Sequence, residues 1–126
     1  MNTPDDVRYT KDHESVRKEG DHFVVGITNY AQGELGDIVY VEIETEGETL
    51  DREEVFGSVE AVKTVSDLFM PMSGEVVEIN AALEDEPEQV NSDPYGSGWM
   101  IKIVATNPEE WDELLSDVEY KEHLGA

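Results

Sequence analysis

Apolar and β-branched residues occur in short bursts separated by glycine, proline and acidic residues. Residues 22–28 (HFVVGIT) are almost continuously apolar and are bounded by Gly20 and Asn29, which predicts a buried strand. Residues 37–44 (DIVYVEIE) alternate, with Ile38, Tyr40 and Glu42 on one side and Val39, Val41 and Ile43 on the other, so one face of a strand is free to be buried. A turn at 46–48 is marked by Gly47. Strands are predicted over 55–62 (VFGSVEAV), 75–79 and 99–105 (WMIKIVA), with an extended segment over 65–72 (VSDLFMPM) that nears its end at Pro71 and turns at Ser73 and Gly74.

Helical signals are fewer. A single turn fits 29–33 and a short helix fits 81–85. A longer helix is predicted over 109–117, opened by Asn107 as N-cap, Pro108 at the first position and Glu110 closing a capping box. It places Trp111, Leu114 and Leu115 on one face. A last helical stretch, 119–124, stops at Gly125. Residues 87–98, with Pro94, Gly96 and Gly98, read as a surface loop. Several short strands with a terminal helix give a mainly β fold, a sandwich or flattened barrel with helical decoration. The 126 residues suit one domain over 1–126.

One position breaks the strand pattern. Lys63 stands between 59–62 and 64–65, and a strand interior is a poor place for a charged side chain unless the chain turns there. The run VEAV-K-TVSDLFMP therefore reads as a hairpin with the lysine at its tip. Such an amine is exposed, flexible and strongly hydrated, which suits a covalent attachment point and equally suits an ordinary solvated lysine that keeps a turn soluble. The local pattern leaves both readings open.

Composition narrows the choice of function. Eight Lys+Arg against 31 Asp+Glu leave a formal charge of −23, which repels phosphate backbones and anionic lipid, so no nucleic acid and no membrane partner is expected. Because molar salt shortens the Debye length to about 3 Å, we read the charge as adaptation to a salty cytoplasm, as in a halophile. The acidic N-terminal segment lacks an apolar secretory core and no apolar run approaches membrane-spanning length, so a cytoplasmic protein is expected. There is no cysteine, and the histidines (His13, His22 and His123) lack ligand spacing, so no metal site and no thiol chemistry are expected. No nucleophile elbow or phosphate-binding glycine loop is present, and the many carboxylates single out no acid–base pair, so the chain reads as a non-enzyme.

The stretch EAVKTVSDLFMPMSGEVVEIN (60–80) resembles the lipoyl-lysine segment of the glycine cleavage system H protein family. So do YTKDHE (9–14), GITNYAQGELGDIVYVE (26–42) and VNSDPYGSGWMIKI (90–103), in the same order, and the likeness runs from about residue 9 to residue 124. It implies a lipoyl/biotinyl-domain-like barrel-sandwich hybrid with lipoic acid in amide linkage on Lys63. It also implies a carrier of the aminomethyl group of glycine, passed from a pyridoxal-phosphate-dependent decarboxylase (P protein) to a tetrahydrofolate-dependent aminomethyltransferase (T protein). Dihydrolipoamide dehydrogenase (L protein) reoxidises the arm, and a lipoate-attaching enzyme installs it. The carrier itself is expected to be a monomer.

By the same resemblance, Gly47, Glu60 and Gly74 match positions tied to recognition by the lipoate-attaching enzyme, and Glu14 and Asp67 match a cleft that holds the loaded arm. Both glycines also suit turns needing a positive φ, the reading we take for them, whereas Glu60 stays open. The family usually has Trp where this chain has Ser15, a large apolar contact whose loss costs several kcal/mol if it is buried and unreplaced. Two alternatives are a biotinyl carrier, whose lysine usually sits between methionines and not beside Val62 and Thr64, and an unmodified β-sandwich binding module. An H-like protein that relays lipoyl groups to other proteins also fits the sequence.

Overall fold

The computed structural model describes residues 7–125. Within them, six antiparallel strands lie side by side: β1 (Arg8–Tyr9), β2 (Glu14–Glu19), β3 (His22–Ile27), β9 (Ile101–Ala105), β8 (Gly74–Ile79) and β5 (Thr49–Leu50). A second sheet consists of β4 (Ile38–Glu42), β6 (Val55–Ala61) and β7 (Val65–Phe69). Inward-facing residues of the two sheets form one core, in which Val25, Phe56, Val59, Met72, Val76, Ile101 and Ile103 are buried. Each such side chain contributes about 1.5–3 kcal/mol relative to exposure. The expected mainly β sandwich is what the chain forms.

The nearly continuous apolar run at 22–28 becomes β3, buried from Phe23 to Ile27 and flanked by β2 and β9. The clean alternation expected at 37–44 is interrupted. Register passes from Ile38↔Ala61 to Tyr40↔Glu60, so one residue is inserted as a bulge. Ile38 and Val41 point into the core, while Val39 and Tyr40 are both exposed.

Sequence reasoning did not identify β2, whose only strongly apolar inward residue is Val16, or the two-residue β5. The helix α1 (Asn29–Leu35) exceeds the single turn expected, because Thr28 caps it by accepting from Ala31 N at 3.1 Å and the turn propagates to Gly36. The short helix α2 (Ala82–Asp85) falls where expected. The 87–98 segment is more than a surface loop: it contains α3 (Gln89–Ser92), whose Val90 is fully buried.

The helix expected over 109–117 is a 3-10 turn, Pro108–Glu113, followed by extended backbone at Leu114. Asn107 makes no capping bond with its side chain; Glu110 instead accepts from Ser73 N at 2.7 Å. Leu115 forms a bridge with Tyr9, its N–H donating to Tyr9 O at 2.8 Å, which no continuous helix permits. Trp111 and Leu114 therefore join the main core, whereas Leu115 packs with Val7, Tyr9 and Tyr120 in a second cluster. The capping box of this region belongs to α4 (Asp117–Leu124): Ser116 Oγ accepts from Glu119 N, and Glu119 accepts from Ser116 N. Gly125 ends that helix, as expected.

Ser15 is buried on β2 opposite Gly26, and Pro94, Tyr95 and Trp99 close around the position. Only about 10 Å³ of void remains there, so packing from the 87–98 segment takes up the room a larger side chain would use.

Candidate functional site

The hairpin β6–β7 pairs Glu60 with Val65, and Ala61 N donates to Thr64 O at 2.7 Å. Val62 and Lys63 form the bend between them, steadied by a bond from Val62 N to Asp37 O at 3.2 Å. Lys63 is exposed and makes no hydrogen bond or ion pair among the described residues. Its amine is thus presented at a firmly backed apex, available to a reagent from solvent.

Glu60 is exposed on the same hairpin and registers directly against Tyr40 of β4 and Val65 of β7. Gly47 and Gly74 are elsewhere. Gly47 has φ +87° in a turn whose N–H donates to Val76 O, as the turn reading expected. Gly74 does not fit that reading. It lies in strand β8 between Leu50 and Ala105, without a positive φ, and a Cβ there would fall 2.7 Å from Val104 O. Close approach of β8 to β9 is what requires glycine at 74.

Below the apex lies a cleft of about 270 Å³. One wall is the turn between β1 and β2, with Asp12, His13 and Glu14; α1 supplies Tyr30, Ala31, Glu34 and Leu35; β7 supplies Ser66, Asp67 and Leu68. Its floor mixes apolar Ile27, Ala31, Leu35 and Leu68 with carboxylates, and both acids singled out from the sequence, Glu14 and Asp67, line it. Asp67 is exposed, whereas Glu14 retains only 2% of its surface. Burial pushes the Glu14 carboxyl up to about 8. The Asp12 charge adds to this, against the opposing pull of the Thr10 hydroxyl, which donates to Oε1 at 2.8 Å, and of a backbone bond at Phe69.

The walls are tied together by residues far apart in sequence. Tyr120 of α4 places its hydroxyl 2.8 Å from His13 Nδ1 and 2.7 Å from Thr28 Oγ1, linking the β1–β2 turn to the cap of α1. His13 has φ +69°, packs its ring 4.9 Å from Tyr30, and has its pKa lowered by burial and by the nearby His123. Neither His13 nor Tyr120 stood out in the sequence, because nothing in their spacing signals a contact across 107 positions. The three histidines looked scattered, yet His13 and His123 lie 6.0 Å apart between ring centroids. Among the described residues no group of three or more His, Asp or Glu is placed to hold a metal ion, and no helix is long and apolar enough to cross a membrane.

A lysine on a hairpin apex of a two-sheet sandwich, above a cleft of mixed apolar and acidic character, defines a barrel-sandwich carrier module. The sequence pattern of the glycine cleavage H-protein family matches residues 7–126. The chain is 58% identical over 126 residues to the glycine cleavage system H protein of Bacteroides fragilis, covering all of both chains. It is 55% identical over 122 residues to that of Salinibacter ruber, covering 97% of this chain and 98% of the other. The crystal structure of a glycine cleavage system H protein from Mycobacterium marinum superposes with a TM-score of 0.88 at 41% identity, over 98% of this chain and 100% of that one. The chain belongs to the glycine cleavage H-protein family. It is a lipoyl carrier of the glycine cleavage system, not a catalyst, with lipoate held covalently on a lysine, and it works with the system's P, T and L proteins.

Proposed function

We propose that Lys63 is the lysine that bears the lipoyl group, and that the whole chain, 1–126, is one carrier domain acting as a monomer in the cytoplasm. The observation that carries this reading is the position of Lys63: a solvent-exposed amine at the bend, at the head of the strand that lines the cleft. When bound, lipoate supplies the dithiolane sulfur chemistry that a cysteine-free chain lacks. Asp67 lies four residues beyond Lys63, a separation of at most about 13 Å at ~3.3 Å per residue. That is within the span of a lysine side chain lengthened by a medium-chain acyl group.

The cleft fits such an arm. Ile27, Ala31, Leu35 and Leu68 offer an apolar bed, and Glu14 and Asp67 offer acceptors for a cationic amine through charge-assisted hydrogen bonds. Because Glu14 titrates near 8, its carboxyl is largely protonated at neutral pH. An ammonium group arriving beside it favours the carboxylate, so Glu14 gives up its proton as the cargo settles. Glu60 beside the apex serves recognition by the lipoate-attaching enzyme. Gly47 and Gly74 support that recognition indirectly, by fixing the turn before β5 and the β8–β9 contact. The acidity we attribute to a salty, halophile-like cytoplasm.

The test is intact-mass measurement after incubation with a lipoate-attaching enzyme, ATP and lipoate. Wild type gains one lipoyl increment, and Lys63→Arg gains none while keeping the same circular dichroism. A lipoyl increment on the Arg variant would refute the assignment of Lys63.

A further inference from the structure

Helix α4 buries one side chain among the described residues, Tyr120. Its ring stacks on Tyr9 at 4.7 Å in the smaller apolar cluster, apart from the main core. The Tyr120 hydroxyl leaves that cluster and reaches His13 Nδ1 and Thr28 Oγ1, where two walls of the cleft meet, although Tyr120 lines no part of the cleft itself. Thr28 is fully buried, and its Oγ1 also accepts from Ala31 N in the first turn of α1. One order of protons serves every group: Thr28 donates to the Tyr120 oxygen, Tyr120 donates to Nδ1 of a neutral His13, and Ala31 N donates to Thr28. The backbones of the same two wall residues also meet, since Thr28 N donates to His13 O at 3.0 Å. His13 stands at φ +69°, a left-handed conformation that is costly for a residue with a side chain and persists only where neighbours hold it. The bond to Tyr120 is one such hold, and it comes from a helix that does little else for the core.

We propose that Tyr120 clasps the cleft: its hydroxyl holds the β1–β2 turn and α1 at the spacing that shuts a loaded arm away from water, so the last helix sets how long the cargo is kept. This rests on the reading of Lys63 and the cleft given above. The two walls come from residues 12–14 and 30–35, and 92 positions separate Thr28 from Tyr120, so a long-range tie governs their spacing. Once the clasp opens, the turn and the helix part and water reaches the carbon between the sulfur and the nitrogen of the cargo. One water is then consumed as the C–S and C–N bonds break. The sulfur leaves as a thiol, the carbon as formaldehyde and the nitrogen as ammonium. Tyr120 touches neither arm nor cargo and is a positioning residue.

The experiment uses Tyr120→Phe, which keeps the ring on Tyr9 and removes only the hydroxyl. Its first readout needs no arm. Amide hydrogen exchange at Thr28 of the unmodified chain reports the parting of the walls, because that N–H is bonded to His13 O. Exchange there is expected to quicken about tenfold, the scale of losing two neutral hydrogen bonds whose groups partly recover partners. The second readout uses chains lipoylated, loaded with aminomethyl by glycine decarboxylase and separated from it. Formaldehyde release from Tyr120→Phe is expected to quicken by a similar factor. Thr28→Val repeats both effects, and Thr28→Ser, which keeps the oxygen, stays near wild type. Val76→Ala opens space in the core among residues outside the cleft, and it serves as the control for a general loss of stability. Unchanged Thr28 exchange in Tyr120→Phe would overturn the clasp. Acceleration of both readouts by Val76→Ala to the same degree would also overturn it, because general loosening would then account for them. So would unchanged formaldehyde release from Tyr120→Phe when wild type protects its cargo. Loaded wild type that releases formaldehyde as fast as free aminomethyl-dihydrolipoamide would instead sink the reading of the cleft as the arm's resting place, and the retention role with it.

Discussion

The buried carboxyl of Glu14 makes native stability depend on pH in a direction opposite to that of a typical salt-bridged acid. Its native pKa of about 8 lies above the ordinary value of 4.5. Between those values the folded protein holds a proton that the unfolded chain has already lost, so stability falls as pH rises through that window. Each unit of pKa difference is worth 1.36 kcal/mol, so the deficit at pH 7 is about 3 kcal/mol and its ceiling above pH 8 is about 5 kcal/mol. Water entering the cleft around an ionised Glu14 lowers that ceiling.

Glu14→Gln isolates the effect. The amide carbonyl still accepts from Thr10, the volume is nearly unchanged, and the group no longer titrates. Urea unfolding of both proteins at a series of pH values gives the difference directly, free of the contributions of the other acids. Below pH 4.5 the difference is constant, then it grows in favour of the variant at up to about 1.4 kcal/mol per pH unit and levels off near pH 8. At pH 7 the variant melts higher by roughly 10 °C, taking a few degrees per kcal/mol for a domain of this size. A wild-type-minus-variant difference that does not change with pH would refute the assignment of a buried, protonated Glu14. The same variant retains the lipoylated arm's cargo less well, since a neutral amide replaces a carboxylate that forms when an ammonium approaches.

Two further outcomes are expected. Gly74→Ala places a methyl 2.7 Å from Val104 O and forces β8 away from β9, at a cost of about 1–3 kcal/mol in urea unfolding; a loss below about 0.5 kcal/mol would show that the strands can part freely. Stability rises with salt, because only three ion pairs form among the described residues (Arg17–Glu19, Arg52–Glu113 and Lys102–Glu78) and most carboxylates repel one another at long range. An unfolding midpoint that is the same in low and molar KCl would remove the halophilic reading.

The parts of this fold legible in the sequence are those whose burial is set by neighbours on the same strand. The runs that form β3, β6, β8 and β9 declare themselves by their apolar content, and Lys63 marks a turn by interrupting two apolar, β-branched segments, whereas Lys102 sits within β9 beside Glu78. β2 gave no such signal. ESVRKE buries Glu14, Ser15 and Val16, and two of those are polar side chains whose burial is decided by the cleft and by the 87–98 segment. The helix expected over 109–117 had the right local chemistry. It lost to long-range demands on the same residues: Glu110 satisfies Ser73 N, and the Leu115 backbone pairs with Tyr9. The cleft was signalled only by the family resemblance, through Glu14 and Asp67, and by no local pattern, since its walls come from 12–14, 27–35 and 66–68, and the Tyr120 hydroxyl that joins two of them arrives from the last helix.

The proposed anchor, Lys63, and the cleft residue Asp67 belong to one hairpin, and this ties the proposed carrier geometry to the register of that hairpin. Along β7, Leu68 points into the core while Asp67 faces outward into the cleft. Side chains alternate with period two, so a slip of one residue in the β6–β7 pairing would bury Asp67 and expose Leu68. The hairpin resists such a slip at both ends. At the apex the Ala61–Thr64 bond closes the bend, and at the far end register shifts between Val55↔Phe69 and Gly57↔Leu68, an irregularity that fits only one alignment. There a Cβ at residue 57 would fall 2.6 Å from Glu42 O, so the β4–β6 contact also requires glycine at that position. The side of the sheet to which Asp67 points is therefore set by a hairpin with one alignment, and on the proposed reading an arm anchored at Lys63 meets that carboxylate at a fixed distance.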